Sequence, residues 1–84
     1  MVVSGAHFFE TRRDIVVAAI SSRPAVGPFE IPLLRWSEAG LRFPSKVMVG
    51  KLITVNASLV VVLGSLVQED LESVRSRLPD VFDL

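Results

Sequence analysis

Apolar residues in this chain change their spacing once, near residue 65. Upstream, short runs and alternations are separated by clusters of Gly, Pro and Ser, the pattern of strands and turns. MVVS at 1–4 reads as a strand end closed by Gly5, and GAHFFETRR has no sustained period, so it reads as a loop that buries Phe8 or Phe9. IVVAAI at 15–20 is a β-branched run too short for a helix, and it predicts a central strand buried on both faces. SSRPAVGP is a loop, and FEIPL alternates as a short strand that Pro32 confines to an edge or bulge. RWSEAGL allows one helical turn at most, stopped by Gly40. SKVMVGKLITV alternates as a long strand with a bulge or corner at Gly50. Asn56-Ala57 predicts a tight turn, and SLVVVLGSL a last strand.

Downstream, Val67, Leu71, Val74 and Leu78 fall at i, i+4, i+7 and i+11, one stripe of a helix over about 66–78. Ser65 and Gln68 fit a capping box, early Glu69, Asp70 and Glu72 with late Arg75 and Arg77 suit the helix dipole, and Pro79 marks the stop. The expected fold is mainly β within the α+β class: a small antiparallel β-barrel with a C-terminal α-helix. No repeat or low-complexity tract interrupts it.

Eighty-four residues make one domain, 1–84, and a chain this short buries only roughly 60% of its unfolded surface. It has no cysteine, so neither disulfides nor thiolate metal sites supplement the core. A hydrophobic share of 50% and mean hydropathy of +0.51 exclude intrinsic disorder and predict apolar surface that meets a partner chain. No apolar stretch is long enough for a membrane span, and the N-terminus lacks the regions of a secretory signal, so the expectation is a cytoplasmic protein with no membrane partner. Nine basic and nine acidic side chains balance overall. Residues 1–51 nevertheless hold seven basic against four acidic (net +3) and residues 52–84 two against five (net −3), which suits phosphate on one face and a cationic partner on another.

One His, no Cys and no carboxylate cage leave no basis for a metal or other cofactor. His7 reads as a polar loop residue rather than a triad member, the five glycines are too scattered for a phosphate loop, and Trp36 and Phe43, beside Arg35 and Arg42, read as packing rings rather than stacking platforms. The one suggestive constellation is Ser21, Ser22 and Arg23 at the end of the IVVAAI strand. There hydroxyls, loop amides and a guanidinium could cradle a phosphodiester and the added charge of its transition state. Arg12 and Arg13 lie at that strand's opposite end, unless sheet curvature brings the two loops together. A strand-ending Ser-Ser is also an ordinary turn, and the residues alone leave both readings open.

Taken in order, VVS at 2–4, Phe8, DIVVAAISS at 14–22, PFEIPL at 28–33, AGL at 39–41, PSKVMVGKL at 44–52 and GSLVQEDLESVRSRL at 64–78 resemble the MazF/PemK toxins of type II toxin–antitoxin systems. The resemblance implies an SH3-like barrel with a C-terminal helix, a homodimer, a cognate antitoxin, and operator DNA bound through the antitoxin complex. It also implies metal-independent, sequence-specific cleavage of single-stranded mRNA, the mRNA interferase activity, in which the 2′-hydroxyl attacks the phosphate and leaves a 2′,3′-cyclic phosphate. On this resemblance Ser21 is the catalytic hydroxyl residue, with Ser22, Arg23, Arg12 and Arg13 as RNA-binding residues, and the loop from Arg23 to Pro28 borders the RNA groove.

The sequence departs from the family at several points. Arg23 replaces the usual Gln, Phe9 stands where Asn is common, and Val67 replaces a helix-capping Ser, a role Ser65 could take over. Members also begin with a Gly-Asp-Ile-Val strand and an Arg-Pro pair that precede the segment matching Val2-Val3-Ser4. The expectation is therefore an N-terminally truncated toxin, its barrel open for lack of the first strand. Its nuclease would be weakened, since loss of one preorganised charge-stabilising group costs about 3 kcal/mol or more. The alternative is a non-catalytic partial toxin that still binds an antitoxin or partner subunit. Gyrase poisons sharing the barrel depend on a Trp-Gly-Ile terminus, whereas this chain ends Phe82-Asp83-Leu84.

Overall fold

The structure, a computed structural model, describes residues 1–82, so Asp83 and Leu84, on which the gyrase-poison comparison turns, lie outside the described residues. Helix α1 (Ala6–Arg12) leads into strand β1 (Asp14–Ser21), followed by β2 (Glu30–Pro32), β3 (Lys46–Asn56), a 3₁₀ turn (Ala57–Leu59) and helix α2 (Gln68–Val81). The strands form an antiparallel sheet in the order β1-β3-β2. It is an open sheet with one helix packed on it, the α+β architecture the pattern predicts.

Strand β3 takes the middle place, which corrects the expectation for IVVAAI. On its other side β1 is paired only with the first residues, through a Val2–Val17 bridge and the bonds Val3 N–H to Val16 O and Ala18 N–H to Met1 O, both 2.8 Å. Only Ile15 and Ala18 of β1 are buried, and Ile20 is exposed. The β1–β3 register runs from Asp14↔Asn56 to Ser21↔Lys46 and breaks between Ala18↔Leu52 and Ala19↔Met48. Val49, Gly50 and Lys51 therefore bulge out of the ladder where the glycine predicts it.

Three further expectations are corrected. The segment read as a loop at 5–13 is helix α1, closed by Arg13 in the left-handed region (φ 60°) with its N–H on Phe9 O at 2.7 Å. It buries no residue, so no apolar stripe announces it. The predicted strand SLVVVLGSL is the 3₁₀ turn followed by an unpaired extended segment. Asn56 Oδ1 accepts from both the amide and the hydroxyl of Ser58 and turns the chain off the sheet, leaving Val61, Val62 and Leu63 exposed. Finally, Ser65 and Gln68 form no capping box. Val67 is the N-cap of α2 without a side-chain bond, Gln68 donates to Glu72, and the helix runs past Pro79, whose missing N–H forfeits one bond near the end.

The core is small: Ala18, Leu33, Val47, Val49 and Val74, with Trp36, Leu52 and Leu78 among the half-buried residues packed on it. Val74 brings the α2 stripe onto the sheet as its period predicts, whereas Phe43, expected to pack in the core or at an interface, is exposed and lies outside the core. Among the described residues no helix is long and apolar enough to cross a membrane.

Two polar or backbone devices hold α2 and its leading segment in place. Asp70, 1% exposed, accepts Leu34 N–H at 3.0 Å on one carboxylate oxygen and Arg35 N–H at 2.9 Å on the other. Gly64 passes so close to the Ala39 carbonyl that any Cβ there would collide with backbone. Asp70→Ala, which strands two amides, should lower stability by about 1–3 kcal/mol in urea unfolding, while the exposed Ser73→Ala stays within about 0.5 kcal/mol. Gly64→Ala should cost about 1–3 kcal/mol by forcing the two segments apart, read as a fall in Tm.

Candidate functional site

Strand β1 ends at Ser21, whose cross-strand partner is Lys46 at the start of β3, and β2 flanks β3 on its far side with Glu30 opposite Met48. Directly opposed residues share one face of a sheet, so this end of the sheet gathers hydroxyl, ammonium and carboxylate. The loop between β1 and β2 folds over them and encloses an open cavity of about 690 Å³. Its lining is Ala19, Ser21, Arg23, Pro24, Val26, Glu30, Lys46, Met48 and Lys51.

Alternation alone puts Lys46 and Met48 on the cavity face and Val47 and Val49 in the core. Strict continuation would send Lys51 to the core side. The bulge at Val49–Lys51 reverses the phase, so that Lys51 lines the cavity and Leu52 returns to the core. Three cations thus face the cavity against the single carboxylate of Glu30.

Lys46 is buried, with its side chain 8% exposed, and donates to Pro24 O at 2.9 Å and to Glu30 Oε1. That hydrogen bond, aided by the ammonium charge, holds the Glu30 carboxyl below the usual glutamate range despite the opposing effect of desolvation. The ion pair therefore persists below the pH at which a free glutamate protonates, and is lost as pH falls through the lowered value. Ser21 Oγ accepts the Arg23 N–H at 3.2 Å, a bond that shapes the exit of the strand and leaves the hydroxyl proton available.

Of the residues singled out from the sequence, Ser21 and Arg23 line the cavity together. Ser22 is exposed and outside the lining. Arg12 and Arg13 sit beyond Asp14, at the other end of an eight-residue strand, roughly 25 Å along the chain from Ser21. There Arg12 pairs with Asp14 at 3.8 Å, and the Arg13 guanidinium lies 5.2 Å from the Phe9 ring centre. Sheet curvature does not join the two loops. Glu30, Lys46 and Lys51 escaped the sequence reading; the cue for Lys46 was a lone cation in phase with Met48 on an alternating strand. Among the described residues, no group of three or more His, Cys, Asp or Glu converges as a metal site.

A second cavity, of about 500 Å³, is apolar and opens between Met1–Val2, Val17, Ile20, Ala39, Leu41 and the extended segment 60–66.

Comparison with known proteins places this geometry in a family. The model for the PemK-like, MazF-like toxin of type II toxin–antitoxin systems matches residues 1–82. No curated protein matches the chain by sequence. Among solved structures it resembles the Mycobacterium tuberculosis toxin MazF-mt6, with a TM-score of 0.83 and 19% identity over 100% of this chain and 84% of that one. An endoribonuclease from a mycobacterial species is similar at a TM-score of 0.84 and 14% identity, over 100% of this chain and 78% of that one. A MazE–MazF structure from Deinococcus radiodurans gives 0.79 and 19%, over 99% and 82%. At these identities the structures attest the fold, while the family model spans all but the last two residues. The chain belongs to the PemK-like, MazF-like toxin family of type II toxin–antitoxin systems.

Proposed function

We propose that this toxin is an endoribonuclease acting on single-stranded RNA, with the scissile phosphate seated in the cavity at the end of β1. The observation that carries the reading is the convergence of the Ser21 hydroxyl, Arg23, Lys46 and Lys51 on one open cavity with a single opposing carboxylate. Such a cavity favours a phosphodiester and, more strongly, the extra negative charge of its five-coordinate transition state.

The reaction supported is transesterification. The 2′-hydroxyl oxygen bonds to the adjacent phosphorus, and the bond from phosphorus to the 5′-oxygen breaks. The 2′-hydroxyl proton leaves to a base and a proton is supplied to the departing oxygen. The products are a 2′,3′-cyclic phosphate and a free 5′-hydroxyl. Ser21 donates a hydrogen bond from its hydroxyl to a non-bridging phosphate oxygen and keeps its proton, and Arg23 supplies charge at the cavity mouth. No step requires a metal ion.

A second reading concerns partners. The apolar cavity beside the exposed Val61, Val62 and Leu63 supports a partner-binding face for a second copy of the chain or for an antitoxin. One of the similar solved structures is a MazE–MazF structure. This face lies apart from the Ser21 cavity and shares none of its lining, so the chain could bind through it without cutting RNA.

Purified protein incubated in EDTA with a mixed-sequence RNA should give discrete cuts bearing 2′,3′-cyclic phosphate and 5′-hydroxyl ends. Ser21→Ala should slow them by about 10²-fold. Intact RNA would leave only the partner-binding reading, and cutting indifferent to Ser21→Ala would move the active site away from the cavity at the end of β1.

A further inference from the structure

We infer that Lys46 is a phosphate-binding residue of the Ser21 cavity and that Glu30 is the counterion its ligand displaces. This rests on the ribonuclease reading and adds to it a residue and a mode of substrate entry.

The first ground is position. Lys46 is the direct cross-strand partner of Ser21 and both side chains line the same cavity, so one phosphate seated there faces the Ser21 hydroxyl and the Lys46 side chain together. The second is desolvation. The Lys46 side chain is 8% exposed, so its charge acts through protein rather than water and attracts an anion more strongly than the exposed Arg23 and Lys51 do. The third is spare capacity. An ammonium has three donors, and Lys46 spends two, on Pro24 O and Glu30 Oε1.

The fourth ground is the nature of the partner. Burying a lone ammonium is costly, and Glu30 offsets that cost when the cavity is empty. Glu30 is the more exposed member, 22% against 8%, and it sits on a strand of only three residues. A phosphate that takes its place keeps the ammonium paired, while the carboxylate moves toward water. Substrate binding becomes an exchange of one anion for another, with no step that leaves the buried cation bare. Pro24 O remains bonded throughout and keeps the ammonium aimed.

A purely structural latch, in which Lys46 only ties the Pro24 loop to β2, makes the opposite forecast for Glu30, and the test uses that difference. The probe is an uncleavable 2′-O-methyl RNA oligonucleotide of mixed sequence, followed by fluorescence anisotropy over a salt series. Lys46→Met should weaken binding about tenfold and lower the slope of log affinity against log salt by about 0.7, the loss of one phosphate contact. Glu30→Gln should bind at least as tightly as the parent, because the competing anion is gone. Lys46→Met with Glu30→Leu removes both partners together, leaves no buried charge unpaired, and should bind as weakly as Lys46→Met alone. It serves if the single variant fails to fold.

Glu30→Gln losing affinity in step with Lys46→Met would identify a latch and overturn the inference. So would a Lys46→Met, or the double variant, that binds like the parent. A parent that cuts RNA while Lys46→Met cuts equally well sinks this inference and spares the ribonuclease reading. A parent that neither cuts RNA nor binds the probe sinks both.

Discussion

The structure depends on one break in register. Between Ala18↔Leu52 and Ala19↔Met48 three residues of β3 have no partner on β1. An unbroken strand would keep every second residue of β3 on one face, so Val47, Val49 and Lys51 would share the core and Leu52 would leave it. The break lets Val47, Val49 and Leu52 all pack inward while Lys46, Met48 and Lys51 all line the cavity. Core and site are thus the two faces of one strand, and Gly50 occupies the bulge that makes both phases possible. A fold whose buried apolar cluster holds five residues, among those described, has few other ways to assemble three cations at one place without losing packing.

The rest of the molecule presses α2 onto that strand. Val74 supplies the contact, and Asp70 fixes the helix against residues 33–41 by receiving two backbone N–H groups. The close approach of Gly64 to Ala39 holds the segment leading into the helix. What these devices leave unburied explains the composition. A chain that is half apolar, with a cluster this small, must display the remainder, and it does so at Val61, Val62 and Leu63 beside the apolar cavity. The acidic excess of residues 52–84, carried largely on α2, lies on the same half of the sequence as that apolar segment, so the two features can serve one partner. The cations that line the Ser21 cavity belong to the other half.

Much of this was legible in the amino-acid sequence, for identifiable reasons. Strand β3 and helix α2 announce themselves because each buries one face, and burial imposes a period of two or of 3.6. Helix α1 buries nothing and therefore has no period to read. SLVVVLGSL is apolar at almost every position, a pattern that looks the same whether the segment pairs in a sheet or lies exposed for a partner; the deciding signal was local, the Asn56–Ser58 turn. IVVAAI misled for a related reason, since its outer edge is covered by the short segment Met1–Ser4 rather than by a full strand. At the site, Ser21 and Arg23 were visible because a strand end and the loop that follows it are neighbours in sequence. Glu30, Lys46 and Lys51 were not, because their convergence comes from long-range pairing and from a shift of phase that no local pattern records.

The Lys46–Glu30 pair is the feature least explained by stability. A buried ion pair gains little over well-packed apolar side chains of similar size, because both charges must be stripped of water. Lys46 is followed on its strand by valine and methionine, and a third apolar residue there would cover the sheet at no electrostatic cost. The pair also leaves the cavity polar beside the apolar groups of Ala19, Val26 and Met48, where an empty apolar hollow would otherwise tend to close. An ammonium kept dry, aimed by a backbone carbonyl and neutralised by a more exposed carboxylate is poorly suited to holding a fold together. It is well suited to receiving a polyanion, because the price of removing water from the cation is met during folding rather than at the moment of binding.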